Sequence, residues 1–171
     1  MSLVEAEDET PRRPDFPSFT DSALFDRTFD EGMSLVEETA RYLDGRGREE
    51  SRGLPRSAAL LYAGESMRVT TRLMQAASWL LIQRAVREGE MRPEDAAGER
   101  YRLGSKEICF GGRSESVELL PPTLRDLLER SEQLYRRIAR LEEALFRGSL
   151  PAKPMVQAQI ERLQQTFGEA G

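Results

Sequence analysis

One stretch constrains the fold more than any other. Residues 55–88 contain no interior proline and a single interior glycine, Gly64, and their apolar residues recur with helical spacing. At about 1.5 Å per residue such a helix is roughly 50 Å long, which makes it the spine on which the remaining segments must pack. Pro55 suits a first-turn position because it has no N–H to leave unpaired, and Gly89 follows the basic residues Arg84 and Arg87 at the other end.

At 100° per residue, Leu60, Ala63, Met67, Leu73, Met74, Ala76, Ala77, Leu80, Leu81, Ile82 and Ala85 cover about two thirds of the cylinder. That arc is expected to face inward, against more than one neighbour. The remaining wedge holds Glu65, Arg68, Arg72, Gln75 and Gln83, expected to be solvated, yet Leu61, Trp79 and Val86 project into it as well. Arg68, Arg72, Gln75 and Trp79 therefore form a candidate protein-interaction surface, because tryptophan and arginine are favoured interface anchors. The alternative is a solvated stripe with Trp79 covered by the chain itself. Gly64, Thr71, Ser78 and Ala85 recur every seven residues and let another backbone approach, either inside the monomer or across a homodimer seam.

Two further amphipathic helices flank this spine. The first runs from an N-cap at Asp21 to about Asp44, with Gly32 in its apolar face placed for close contact with the long helix, and Gly45 stops it. The segment 45–54, dense in charges of both signs, reads as a solvated loop. The other flanking helix opens at Pro121 and Pro122 and reaches about Phe146, with Leu124, Leu127, Leu128, Leu134, Tyr135 and Ile138 on one face. Between them, 90–120 reads as a short helix over 93–100 and an extended run over 101–110. A connection that long needs a function or an apolar surface to pin it, and Trp79 is a natural seat for Tyr101, Leu103, Ile108 or Phe110. The expected architecture is an all-α antiparallel three-helix bundle over 21–147, with a disordered N-terminal arm at 1–20 and a flexible or weakly helical C-terminal tail at 148–171, docked or acting as a tether.

Composition narrows the chemistry. The 171 residues include 30 acids against 25 lysines and arginines, a formal charge of −5, so no nucleic-acid partner is expected. There is no histidine, and Cys109 is the only cysteine. This removes a histidine base and a structural zinc site, and leaves Cys109 without a histidine to activate it, so a buried structural thiol is expected. The adjacent acids Glu37–Glu38, Glu49–Glu50 and Glu142–Glu143 diverge on a helix and do not converge on a reacting bond. No catalytic residue, metal or cofactor is expected. An enzyme of the all-helical chorismate mutase kind would need inward arginines, and only Arg84 interrupts the apolar arc. The N-terminus lacks the features of a signal or transit peptide, and no apolar run is long enough to insert in a membrane, so a cytoplasmic location is expected.

The block Gly-Glu-Ser-Met-Arg-Val-Thr-Thr-Arg-Leu-Met-Gln-Ala-Ala-Ser-Trp-Leu-Leu-Ile-Gln-Arg-Ala-Val, residues 64–86, continues through Arg-Glu-Gly-Glu-Met to residue 91. It resembles the RcdA family, regulators of CtrA degradation in alphaproteobacteria, as do 100–110 and 120–145. The resemblance implies a non-enzymatic helical-bundle homodimer that delivers cell-cycle transcription regulators to the ClpXP protease at the cell pole. It also implies a CpdR-like response regulator and a PopA-like cyclic di-GMP effector as partners. It assigns no partner contact to a single residue. The competing reading is a structural homodimeric interaction module without protease contact.

Overall fold

The computed structural model describes residues 22–112 and 114–147. The arm at 1–20, the Asp21 cap and the tail at 148–171 lie outside the described residues. Six helices follow in order: α1 (Ala23–Asp44), α2 (Arg46–Arg52), α3 (Arg56–Arg87), α4 (Pro93–Ala96), α5 (Lys106–Phe110) and α6 (Pro122–Arg147). Two 3₁₀ turns, Glu99–Tyr101 and Val117–Leu119, interrupt the long connection, and no strand occurs among the described residues. The fold class is the expected all-α bundle, with α1, α3 and α6 around one core.

Local chemistry sets the ends of these helices. Ser22 caps α1 by accepting from the Phe25 amide at 3.2 Å. Gly45 ends it, returning its N–H to the carbonyls of Arg41 and Tyr42. Pro55 precedes the first residue of α3, and Gly89, just beyond its end, adopts φ +75°, a left-handed conformation that favours glycine. Segment 45–54 is not a loop but contains the helix α2. It packs inward because Gly47 lies so close to the Tyr42 and Tyr62 rings that a Cβ would sit 2.6 Å from the Tyr62 hydroxyl oxygen. Tyr42 donates to Glu50 at 2.8 Å, and burial together with that carboxylate pushes the phenol pKa up.

The sense of the helices explains the long connection. Facing pairs 26/87 and 32/80 run α1 against α3, and pairs 38/130 and 31/137 run α1 against α6. It follows that α3 and α6 point the same way, which differs from a fully antiparallel bundle. Parallel neighbours require the chain to travel back along the bundle, and residues 88–121 do so. Their middle is a one-turn helix, α5, with the bends around it, not the extended run expected over 101–110.

The core combines Phe25, Leu35, Val69, Leu73, Trp79, Leu80, Leu124, Leu127, Leu134, Tyr135 and Ile138. Gly32 admits Leu80, whose Cδ1 would be 2.7 Å from a Cβ at that position, which brings α1 and α3 together as its place in the apolar face suggests. Among the buried polar side chains that lack a hydrogen-bond partner within the described residues, Gln83 is the one with two such atoms. Gln83 is fully buried, and neither its Nε2 nor its Oε1 finds a hydrogen bond among the described residues. An unpaired buried amide costs about 1–3 kcal/mol. Gln83→Leu is therefore expected to stabilise the protein by about 1–2 kcal/mol, read from a denaturant or thermal unfolding curve. A loss of stability would mean that the amide is engaged from outside the described residues.

Candidate protein interaction surfaces

The four residues of the candidate wedge share one task, and it is not an outward one. Arg68 donates from its Nη1 to the Gly112 carbonyl at 2.9 Å. Arg72 donates from Nε to the Cys109 carbonyl at 2.8 Å. The Gln75 Oε1 accepts from the Gly104 amide at 2.9 Å. Trp79 shares the wall of a cavity with Arg100, Tyr101 and Arg102. In order up α3 these side chains meet descending residues of the connection, so the wedge is the seat of an antiparallel strap, residues 99–112.

Helix α6 forms the other side of the same seat. Tyr135 donates its hydroxyl to the Gly104 carbonyl at 2.9 Å, and a Glu142 oxygen accepts from the Leu103 amide at 2.8 Å. The Phe110 ring stands edge-on to Tyr135 at 5.1 Å between centroids. Leu103 and Cys109 are buried, Phe110 is partly exposed over Tyr135, and Ile108 is half exposed, so the four residues expected to cover Trp79 do not all do so. The strap has little regular structure to pair its main chain, and side chains of α3 and α6 supply the partners instead.

The expectation of a solvated wedge is thereby corrected. Trp79 is 1% exposed, Arg72 2%, and Glu65 and Gln83 are also buried. Arg68 and Gln75 are partly covered. A buried guanidinium is tolerated because its donors are used: Arg72 also donates from Nη1 to the Leu128 carbonyl at 3.2 Å and lies 4.0 Å from a Glu132 oxygen. Burial lowers the Arg72 pKa, and Glu132 opposes that shift. Cys109 is fully buried and its thiol pKa is pushed up by burial, the environment of a structural thiol.

The inward assignment of the apolar arc is corrected as well. Leu60, Met67, Met74 and Leu81 are 70%, 72%, 65% and 51% exposed, and they recur every seven residues. Around them, Ala63, Gly64, Thr70 and Ser78 are exposed and Thr71, Ala77, Ile82 and Ala85 partly so. No charged residue stands on this face between Leu60 and Leu81, a length of roughly 30 Å. A Cβ placed on Gly64 would meet nothing within 4 Å, so close packing inside the monomer does not account for the Gly64, Thr71, Ser78, Ala85 seam. A groove of about 300 Å³ beside it, between α1 and α3, is walled by Val36, Ala40, Leu43, Leu73 and Met74. Exposed apolar surface of this extent marks an interaction site.

A cavity of about 380 Å³ between α3, the connection and α6 is lined by Glu65, Arg68, Arg72, Arg125, Asp126, Glu129 and Glu132, acids and arginines intermixed. No group of three or more histidine, cysteine or acidic residues placed to hold a metal occurs among the described residues. Among them, too, no helix is long and apolar enough to cross a membrane.

Comparison with known proteins agrees on one kinship. No curated protein matches the chain. The sequence profile described as "Protein of unknown function (DUF1465)" matches residues 16–167. The crystal structure of RcdA from Caulobacter crescentus CB15 is similar at 56% sequence identity and a TM-score of 0.62, over 75% of this chain and 96% of that one. Similar at 56% identity over 96% of RcdA, and matching over residues 16–167 the family described as DUF1465, the chain belongs to the RcdA family.

Proposed function

We propose that this protein is a non-enzymatic adaptor that delivers cell-cycle regulatory proteins to the ClpXP protease. Its partners in this reading are ClpXP with a CpdR-like response regulator, a PopA-like cyclic di-GMP effector and protein cargo such as cell-cycle transcription regulators. It works in the cytoplasm and is recruited to the cell pole. The observation that carries the proposal is the 56% identity to RcdA over 96% of that chain; separately, this protein exposes a long uncharged helix face suited to binding protein. An adaptor of this kind does no chemistry; it raises the local concentration of cargo at the protease.

The same face supports a homodimer built on Leu60, Met67, Met74 and Leu81, with Gly64, Thr71, Ser78 and Ala85 admitting the partner helix. In this reading Arg68, Arg72, Gln75 and Trp79 contribute by holding the strap, not by touching a partner. The exposed face also favours a second reading, a structural homodimer without protease contact.

Reconstituted degradation separates the two. Purified ClpXP, its response-regulator primer and a candidate cell-cycle regulator are incubated with and without this protein, and substrate loss is followed. Acceleration is expected. No acceleration, with protease and primer active on a control substrate, would reject the adaptor and leave the structural dimer.

A further inference from the structure

A cavity of about 460 Å³ at the end of the strap is lined by Gln75, Ser78, Trp79, Leu81, Ile82 and the run Arg100 to Arg102, and none of these is a carboxylate. This is unusual in a chain of formal charge −5: the cavity between α3 and α6 holds several acids, and the groove between α1 and α3 includes Asp44. Arg100 and Arg102 form no ion pair with the described residues. Asp95, whose carboxyl also feels Arg100, is engaged bidentately by Arg92 at 2.9 and 3.1 Å.

Both guanidiniums are nevertheless held in place. Arg100 stacks on the Tyr101 ring at 4.4 Å and Arg102 on the Phe146 ring at 4.5 Å. Stacking orients the planar donor forks; Arg100 also donates to the Tyr101 hydroxyl and Arg102 from Nε to the Ala97 carbonyl at 3.5 Å, and the remaining edge N–H groups are left for an oxyanion, so less side-chain entropy is lost on binding. The Ser78 hydroxyl and the Gln75 amide, whose oxygen is taken by Gly104, add neutral donors on the opposite wall. Leu81 and Ile82 give the remaining wall an apolar character. Donors of both kinds beside an apolar wall, in a volume typical of small-ligand sites, select an organic anion of modest size.

We infer that this cavity binds a small phosphate ester of nucleotide size, its phosphate on Arg100 and Arg102 and its ring against Leu81 and Ile82. The inference does not rest on the adaptor reading, because ligand binding is measured on the purified protein alone; Ser78 and Leu81 also lie on the face given to the homodimer, so ligand and partner helix compete for them.

Isothermal titration of the full chain with AMP and GMP tests it, with adenosine and inorganic phosphate as controls. The nucleoside monophosphates are expected to bind, adenosine to fail, and phosphate alone to bind more weakly. Arg100→Gln and Arg102→Gln, both at exposed positions, should each weaken binding by roughly tenfold, the loss expected for one charged hydrogen bond, while the melting temperature of the unliganded protein stays unchanged. Absence of binding by either monophosphate would overturn the inference. So would affinity unaltered in both variants, or binding confined to a short acidic peptide offered in the same titration.

Discussion

If the proposed homodimer forms through this face, Met67→Glu combined with Met74→Glu is expected to leave a folded monomer. Both side chains are largely exposed on α3, so a lone chain loses little, and glutamate is as good a helix former as methionine. In a two-fold dimer this face packs against itself, which brings four carboxylates into one seam. Each buried unpaired charge costs several kcal/mol, so the dissociation constant should rise by at least about a thousandfold. A face roughly 30 Å long and about 10 Å broad offers on the order of 300 Å², less than the ~800 Å² that a typical partner contributes. The flanking groove at Val36, Ala40 and Leu43 must therefore take part. Sedimentation velocity with circular dichroism is the measurement. A wild-type monomer at about 100 μM, well above the affinity of a typical stable dimer, or a variant that remains dimeric, would reject the seam.

Arg72→Met is expected to be the most damaging single substitution to the fold. It keeps much of the volume but leaves the Cys109 carbonyl without its Arg72 donor and Glu132 without its inward cation, while the Leu128 carbonyl keeps only the Ser131 hydroxyl of its two side-chain donors. Breaking a buried charged contact of this kind costs about 3–5 kcal/mol. The damage should be local first: Arg100, Arg102 and Lys106 stand on or beside the strap, and limited trypsin digestion should cut there before the bundle opens. Arg68→Ala offers the comparison, because that side chain is a quarter exposed and its loss should cost about 1 kcal/mol or less. If Arg72→Met unfolds within about 1 kcal/mol of wild type, Arg72 does not clamp the strap.

These two residues mark the limit of what the sequence makes legible. Helix α3 could be bounded almost to the residue because its stops, Pro55 and Gly89, act locally through backbone geometry. The apolar face of α6 was equally plain, since every large apolar residue on it meets the core. The orientation of α3 was not. Hydropathy ranks Leu60, Met67, Met74 and Leu81 as interior and Arg72, Glu65 and Gln83 as exterior, but it does not distinguish a face covered by the same chain from one left to another molecule. The inward pull on Arg72 comes from a carbonyl 37 residues away in the one-turn helix α5, a contact with no periodic signature. Two clues were present: Trp79 on the polar side, and a seven-residue stripe on the apolar side uninterrupted by charge. The spacing of Gly64, Thr71, Ser78 and Ala85 puts them along one edge, yet only the open space around Gly64 distinguishes an outward seam from close packing within the monomer.

The way the strap is held also shapes how this sequence can drift. Its anchors read main-chain atoms of Leu103, Gly104, Cys109, Gly111 and Gly112, and these exist whatever side chains the strap carries. Lys106, Glu107 and Ile108 can thus be exchanged without touching one anchor, whereas each of Arg68, Arg72, Gln75, Tyr135 and Glu142 takes an anchor with it. Variation can accumulate on the outer surface of the strap while the helices beneath stay fixed, which gives the bundle a replaceable face on an unchanging frame.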